Sequence, residues 1–264
     1  MCILIAIATG DNNVIFYQDG KMKIKVINPN TSISMTVKIG LAAQAVANPS
    51  TEIIACNPSM GPVSIEGHYD EALAVVGLLE EIRKGEAEGI DGYVIACFGD
   101  PGLLAARELT RSPVIGIAEA AMHVASLIST SFSIVTTLSR TRIIAQHLVE
   151  NYGMSRFCRH IRSTDLAVLE LETDGNAKKI ITEECRQALI EDKTEAIVLG
   201  CSGMADLAKE ISQEIGAPVI DGVGAAVKFV EVLVSLGLET SKVGSLAFPI
   251  PKLYTGILQS FTVD

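Results

Sequence analysis

Short runs of hydrophobic, mostly β-branched residues recur along the chain and alternate with longer amphipathic segments. The short runs are apolar at nearly every position, which is typical of parallel strands buried on both faces. The longer segments have the period of a helix, and several begin at Ser, Thr or Asp. This alternation predicts an α/β architecture. The predicted strands are residues 23–27, 51–56, 92–97, 113–117, 132–137, 195–201 and 218–221. The predicted helices are residues 33–47, 69–88, 102–110, 119–129, 140–152, 165–191, 204–215 and 223–236.

The chain also repeats its own pattern. The segment YVIACFGDPGLLAARELTRSPVIGIAEAA contains Cys97, and the segment AIVLGCSGMADLAKEISQEIGAPVIDGVGAA contains Cys201. Both encode an apolar strand, a cysteine, a Gly-containing turn, a helix and a Pro-Val-Ile strand. The two cysteines are 104 residues apart, and Pro113 and Pro218 are 105 apart. We therefore expect two similar α/β domains related by a pseudo-twofold axis, each with a parallel sheet flanked by helices.

The repeat also predicts where the domains begin and end. A helix near the C-terminus, around residues 222–237, is expected to pack on the first domain. Three origins stay open for the N-terminal extension: an extra strand, a segment foreign to the natural protein, or a misplaced start codon, since MKIKVINPNTS already looks like a complete beginning. The expected division is an extension of unknown role at 1–21, a first domain at 22–118, a second at 119–221, and a C-terminal helix and tail at 222–264.

Composition and charge argue against several classes of partner. The 264 residues carry a formal net charge of −10 and no Lys/Arg-rich stretch, so nucleic-acid binding is not expected. The apolar run at residues 2–8 is too short to span a membrane and lacks a preceding positive charge, so we expect no membrane association and no secretory signal. Six cysteines without C-x-x-C spacing indicate reduced thiols in the cytoplasm. Metal-ligand and phosphate-binding motifs are absent, so no metal or cofactor is expected.

Two of the cysteines are expected to face a ligand. Cys97 and Cys201 each follow a strand, and in open α/β sheets ligands collect where the carboxyl ends of the strands meet. Each also precedes a helix, whose N-terminus carries a partial positive charge that favours thiolate over thiol. We therefore expect both thiols in one cleft, each with a lowered pKa. A lone cysteine at the end of an apolar strand is most often a core residue, which suits Cys56, Cys158 and Cys185.

The motifs around these cysteines resemble a known family. INPNTS, ACFGDPGL, GIAEAA, LGCSGMADLA and PVIDGVGAAV together resemble the hydantoin racemase branch of the aspartate/glutamate racemase superfamily, which also contains allantoin racemase. The resemblance runs from about Lys23 to about Gly237. It implies a cofactor-independent enzyme with its active site between two similar domains. It also implies Cys97 and Cys201 as the catalytic pair, a hydantoin-type ring as the small-molecule substrate, and assembly into a homo-oligomer.

Racemisation at a carbon next to a carbonyl agrees with the residues present. One thiolate removes a proton from one face, a thiol returns one to the other, and donors stabilise the enolate-like anion in between. Asn28 in KVINPNTS and Thr136 in IVTTLSRT occupy matching positions, where they could bind an imide edge or cap the next helix. The expected substrate-binding residues are Asn28, Phe98, Gly99, Thr136, Thr137, Ser202 and Gly203.

Alternatives stay open for some residues and for the function. Asp100 is expected to cap the helix that starts at Pro101, with catalysis as its less favoured role. His123 could approach Cys97 in a Cys-His hydrolase, although no local motif supports this. An amino acid racemase of the aspartate/glutamate type needs cations for its carboxylates, and Arg140 and Arg142 are the nearest basic residues. A non-catalytic binding protein of the same fold is the remaining alternative.

Overall fold

Strands and helices alternate through most of the chain, as the hydrophobic pattern predicts. The computed structural model describes residues 4–8, 14–18 and 21–262. The strands are β1 Leu4–Ala8, β2 Val14–Gln18, β3 Met22–Ile27, β4 Thr51–Cys56, β5 Gly92–Ile95, β6 Val114–Gly116, β7 Phe132–Thr136, β8 Cys158–Ser163, β9 Ala196–Leu199 and β10 Val219–Ile220. The α-helices are α1 Ile33–Val46, α2 His68–Glu88, α3 Leu103–Leu109, α4 Ile117–Ile128, α5 Arg142–Asn151, α6 Glu170–Thr173, α7 Ala177–Gln187, α8 Ala208–Ile215 and α9 Gly222–Ser235.

Two four-stranded parallel sheets have the same strand order. The first half of the fold, built on β3 to β6, has the order β4-β3-β5-β6, and the second, built on β7 to β10, has the order β8-β7-β9-β10. When the strands of each half are numbered along the chain, the order across both sheets is therefore second, first, third, fourth. The sequences GYVI of β5 and AIVL of β9 are completely buried, as their uninterrupted apolar character predicts. The prediction of two similar α/β halves flanked by helices is confirmed.

Strand β8 is missing from the sequence prediction. Its sequence, CRHIRS, carries three basic side chains, and Ile161 alone is buried among its six residues. Within the described part of the chain β8 pairs with β7 and lies at the edge of its sheet, where polar side chains can reach solvent. A search for apolar runs therefore finds its counterpart β4 but not β8.

The predicted helix over residues 165–191 is wrong at its N-terminal end. Helix formation starts only with the single turn of α6, and the chain then passes through Gly175 into α7 and a π-helical turn at Ala188–Asp192. Asp165 has a left-handed φ of 56°, and its carboxylate accepts a hydrogen bond from the N–H of Ser139 at 2.7 Å. Residues 165–169 therefore form a loop beside the cleft.

One hydrophobic core joins the two halves. It contains buried residues of both sheets, such as Val94 and Val198, together with residues of α4 and α9. Helix α9 packs on α1, α4 and β5. The absence of a side chain at Gly92 leaves room there for Val230, because a Cβ on this glycine would overlap that valine. The two halves thus meet through packed helices, which holds their strand ends in a fixed relation.

A buried carboxylate fixes α9 to the first half. Glu231 is 2% exposed and accepts hydrogen bonds from the N–H of Asn48 at 2.7 Å and from Thr51 Oγ1 at 2.6 Å. Lys228, one turn earlier in α9, pairs with the same carboxylate at 2.7 Å. These contacts connect the C-terminal helix to the loop before β4.

The N-terminal extension contains two strands that pair with each other. Strands β1 and β2 run antiparallel, with Leu4 opposite Gln18 and Ala8 opposite Val14. They form a sheet of their own, separate from the two parallel sheets. The other residues of the predicted extension, apart from Lys21, lie outside the described part of the chain. Among the described residues no helix combines the length and the apolar composition needed to cross a bilayer.

Candidate active site

The two repeated cysteines line one cavity between the halves. Cys97 follows β5 and Cys201 follows β9, each the third strand of its half, and both contribute to the lining of the same cavity. Both strands lie at the centre of their sheet beside the first strand, and their carboxyl ends are where ligands bind in open α/β folds. The apolar part of the lining also draws on both halves, with Met35, Ile65, Phe98, Ile144 and Val168.

Both thiols are harder to ionise than the sequence predicts. Burial raises the pKa of Cys201 to about 11 and raises that of Cys97 further still. In the opposite direction, the backbone N–H of Gly203 donates to Cys201 and that of Gly99 donates to Cys97. The prediction of a lowered pKa is wrong, because burial outweighs these hydrogen bonds. Helix α3 begins only at Leu103, and Cys201 is followed by a 3₁₀ turn.

A carboxylate lies beside Cys97. Glu71 projects from the first turn of α2, and a Cβ on Gly99 would overlap its Oε1 atom. Burial has the largest effect on the pKa of Cys97, and the hydrogen bond from Gly99 opposes it. The negative charge of Glu71 has the third largest effect and raises the pKa. Among the described residues that line the cavity, Glu71 is the only charged side chain.

A cation lies close to Cys201 instead. Lys38 in α1 donates from Nζ to the carbonyl oxygen of Gly203 at 2.8 Å and pairs with Asp206 at 3.0 Å. Its positive charge opposes the effect of burial on the pKa of Cys201. The two thiols are therefore electrostatically inequivalent, although the strand order around them is the same.

Five of the predicted substrate-binding residues line the cavity: Phe98, Gly99, Thr136, Thr137 and Ser202. Thr136 is buried at the end of β7, and its Oγ1 donates to the carbonyl oxygen of Gly200 at 3.1 Å. Thr141, which the sequence does not single out, also lines the cavity, with its hydroxyl 3.3 Å from that of Thr136. Gly203 contributes through its N–H to Cys201 and is not itself part of the lining.

Asn28 is not among the lining residues, and its side chain is engaged within its own turn. Nδ2 donates to Asn30 Oδ1 at 2.8 Å, to Thr36 Oγ1 at 3.0 Å and to the carbonyl oxygen of Ser32 at 3.3 Å. Oδ1 accepts from the N–H of Asn30. Ser32 in turn caps α1, accepting from the N–H of Met35. Asn28 therefore stabilises the turn before α1, and Ser32 rather than Asn28 caps the helix.

Asp100 does not cap the helix that follows it, contrary to the prediction. Asp100 has a left-handed φ of 43°, and a glycine holds the N-cap position of α3. Its buried carboxylate accepts hydrogen bonds from the N–H groups of Ala118 and Glu119 at the start of α4, at 3.1 and 2.9 Å, and from the Tyr152 hydroxyl at 2.8 Å. Burial raises the pKa of Asp100 to about 7 in spite of these bonds. Asp100 thus ties the loop between β5 and α3 to the second half.

The other candidate residues, Arg140, Arg142 and His123, are not among the residues that line the cavity. Arg140 approaches the backbone of Gly67, and Arg142 lies 3.3 Å from His160 in a separate surface depression. His123 bonds through Nδ1 to the carbonyl oxygen of Glu119 within α4. No group of three His, Cys, Asp or Glu side chains in the described residues is arranged to hold a metal ion.

Two loops from opposite halves meet at the cavity. Ile65 lines it from the loop before α2, and Val168 lines it from the loop before α6. The neighbouring Glu66 accepts a hydrogen bond from the N–H of Val168 at 2.9 Å. Sequence reasoning missed Glu66, Glu71 and Lys38, because it looked only at residues that follow strands. The available signal was topological: α1 and α2 start at the same sheet edge as the cysteine loop, so their first turns adjoin the site.

Comparison with known proteins places these features in a family. A family model described as Asp/Glu/Hydantoin racemase matches residues 24–230. A hydantoin racemase from Pseudomonas sp. (strain NS671) is 50% identical over 241 residues, covering 91% of this chain and 97% of that protein.

Two solved structures are similar over nearly their whole length. An allantoin racemase from Klebsiella pneumoniae is 59% identical, covers 92% of this chain and 99% of its own, and superposes with a TM-score of 0.90. An allantoin racemase from Pseudomonas fluorescens is 40% identical, covers 89% of this chain and 100% of its own, and has a TM-score of 0.86. The chain therefore belongs to the Asp/Glu/hydantoin racemase family.

Proposed function

We propose that the protein is a cofactor-independent racemase of 5-substituted hydantoins, with allantoin or a 5-monosubstituted hydantoin as substrate. The observation that carries this proposal is the convergence of Cys97 and Cys201, from equivalent strands of two similar halves, on one cavity. The names of the similar proteins point to the same substrate class. Two thiols on opposite sides of a ring carbon are what a two-base racemisation requires.

The proposed reaction moves one proton off the ring carbon and another onto it. A thiolate takes the C5 proton from one face and becomes a thiol, and the electron pair passes to the neighbouring C4 carbonyl as an enolate. The thiol on the other face then gives its proton to C5 and becomes a thiolate. The N–H groups that follow the two cysteines and the hydroxyls of Thr136, Thr137 and Ser202 are available to bind the ring oxygens.

The neighbouring charges assign which cysteine ionises first. Because the influence of Lys38 favours ionisation of Cys201 and that of Glu71 opposes ionisation of Cys97, we infer that the small fraction of free enzyme that carries one thiolate carries it at Cys201, with Cys97 as the thiol. A neutral ring fits a cavity whose described lining has no cationic side chain, since a carboxylate substrate would lack a partner there.

The deciding experiment is polarimetry of pure enantiomers of allantoin, a 5-alkylhydantoin and aspartate with the purified protein, before and after exhaustive chelation. We expect loss of rotation with the two hydantoins, unchanged by chelation, and kcat/KM at least about a hundredfold lower for aspartate. Activity lost on chelation and restored by a metal would overturn cofactor independence. Comparable activity on aspartate would overturn the substrate class.

Single cysteine variants test the two-thiol mechanism. Cys97→Ser and Cys201→Ser should each lose racemisation by more than about a thousandfold, because a serine hydroxyl is too weak an acid to replace either group. In D₂O each variant should exchange the C5 hydrogen of one enantiomer only, with retention. Exchange of both enantiomers by one variant would instead indicate a single mobile base.

A further inference from the structure

Glu71 brings a carboxylate to the cavity that the two cysteines line. The side chain is 17% exposed, and Oε2 lies 3.5 Å from Nδ1 of His68. Oε1 lies against Gly99 on the cavity side, and no described residue donates a hydrogen bond to it. A ligand that enters the cavity can supply a donor to this oxygen, and a hydrogen bond to a carboxylate is among the stronger kinds.

The position of this oxygen relative to Cys97 defines which part of a substrate it meets. Glu71 adjoins Gly99, whose N–H donates to the Cys97 sulfur. A ring carbon placed to exchange a proton with that sulfur brings the atoms bonded to it next to Glu71. In a hydantoin, the reacting C5 is bonded to N1, which carries a hydrogen, whereas the second ring N–H, at N3, lies between the two carbonyls and further away.

We propose that Glu71 is a specificity-determining residue that accepts a hydrogen bond from the N–H group bonded to the reacting carbon. This inference rests on the proposed function. In a 5-alkylhydantoin that group is N1–H, and in allantoin the ureido N–H on the same carbon offers a second donor of the same kind. The remaining polar groups of the described lining are thiols, hydroxyls and backbone groups, so Glu71 supplies the one charged acceptor.

The test compares 5-methylhydantoin with its 1-methyl and 3-methyl derivatives in the wild type, Glu71→Gln and Glu71→Ala. In the wild type, 1-methylation should lower kcat/KM by about 10- to 100-fold, the range for losing a hydrogen bond to a charged group. In Glu71→Ala this penalty should shrink to about threefold or less, with Glu71→Gln in between. The 3-methyl penalty should be the same in all three proteins.

The ratio between substrates separates recognition from electrostatics. Removing Glu71 also changes the ionisation of Cys97, but that effect applies to every substrate alike and cancels in the ratio. Glu52→Gln, at an exposed position near the amino end of β4, removes the same charge at the opposite end of the strand from the cleft and should leave the 1-methyl penalty at its wild-type size.

A binding measurement keeps this inference distinct from the proposed function. Calorimetric titration of the Cys97→Ser/Cys201→Ser protein should show the same selective loss of affinity on 1-methylation. In the triple variant that also carries Glu71→Ala, 1-methylation should no longer lower the affinity. Racemisation of hydantoins with an equal 1-methyl penalty in wild type and Glu71→Ala would overturn the role of Glu71 and leave the proposed function standing. If no hydantoin is racemised, the proposed function fails, and the titration still decides what Glu71 binds.

Discussion

The carboxylate of Glu66 in the first half accepts a hydrogen bond from the backbone N–H of Val168 in the second half, at 2.9 Å. The two residues are 102 positions apart in the chain. Ile65, which precedes Glu66, and Val168 both line the cavity. This one bond therefore holds two loops together at the site.

Breaking this bond should open the cavity without unfolding the protein. Glu66→Ala is expected to raise KM and lower kcat/KM by about tenfold, because the energy of a charged hydrogen bond no longer favours loop closure. Amide exchange of residues 57–67, followed by mass spectrometry, should become faster. Glu66→Gln retains an acceptor and serves as the matched control. Equal exchange rates in the alanine variant and the wild type would contradict the role of the bond.

The pH dependence of the reaction follows from the buried thiols. Burial raises the pKa of Cys201 to about 11, so the thiolate fraction of the free enzyme grows about tenfold for each pH unit below that value. We expect kcat/KM to rise with about this slope between roughly pH 7 and pH 9. A 3-methylated hydantoin is the suitable substrate, because its imide nitrogen cannot ionise. A flat or falling profile in this range would show that Cys201 is already ionised.

Lys38 should control the reactivity of Cys201. Replacing Lys38 by Met removes the positive charge that opposes the effect of burial, so the pKa of Cys201 should rise further and its alkylation by iodoacetamide should slow about three- to tenfold. Peptide mass spectrometry follows each cysteine separately, and in the wild type Cys201 should react faster than Cys97. Lys209→Met, at an exposed position of α8, is the control for loss of a positive charge. An unchanged alkylation rate in Lys38→Met would contradict this assignment.

Glu231 should make folding stability depend on acid pH. Burial alone would raise its pKa, but hydrogen bonds from Lys228, Thr51 and Asn48 outweigh that and hold the pKa below its usual value of 4.5. The stabilisation is therefore present above the unfolded-state pKa and disappears as the pH falls through the folded-state pKa. Urea denaturation at neutral pH should give Glu231→Gln a free energy of unfolding about 1–3 kcal/mol lower than the wild type.

The same comparison at acid pH provides the check. As the pH falls below the unfolded-state pKa and through the lowered folded-state pKa, the difference between wild type and Glu231→Gln should shrink, because the wild-type carboxyl then also becomes uncharged. Glu52→Gln, whose side chain is exposed on β4, should differ little from the wild type at either pH. A difference that stays constant from neutral to acid pH would mean that the charge of Glu231 does not stabilise the fold.

The sequence predicts the layers of this fold well because the central strands are buried on both faces. A short, uninterrupted apolar run such as AIVL in β9 is typical of a strand covered on both sides, and the internal repeat adds the relation between the halves. A search for apolar runs misses strand β8, because an edge strand can carry polar residues such as Arg159, His160 and Arg162. The repeat could have located it, because β8 begins 107 residues after β4.

The residues of the site also fall into two groups. Some can be predicted from their order along the chain, and others are brought to the site only by packing. The cysteines, with Thr136 and Ser202, lie at or just after the ends of strands and can be placed from the sequence. Glu71 comes from a helix turn that touches the site through space, and no local pattern marks it. The direction of the thiol pKa shifts also depends on packing, because burial outweighs the N–H groups of Gly99 and Gly203.

In the proposed reaction, the identical strand order of the two halves presents similar groups to both faces of the planar enolate, while Lys38 and Glu71 make the two faces chemically different. Mirror-image substrates have the same free energy, so their equilibrium constant is unity, and the Haldane relation then requires the same kcat/KM for both. The inequality of the thiols cannot alter that ratio. The inequality can appear only as a higher kcat for one enantiomer, offset by a proportionally higher KM. Progress curves that start from opposite enantiomers should therefore share their slope at low concentration and separate as the enzyme saturates.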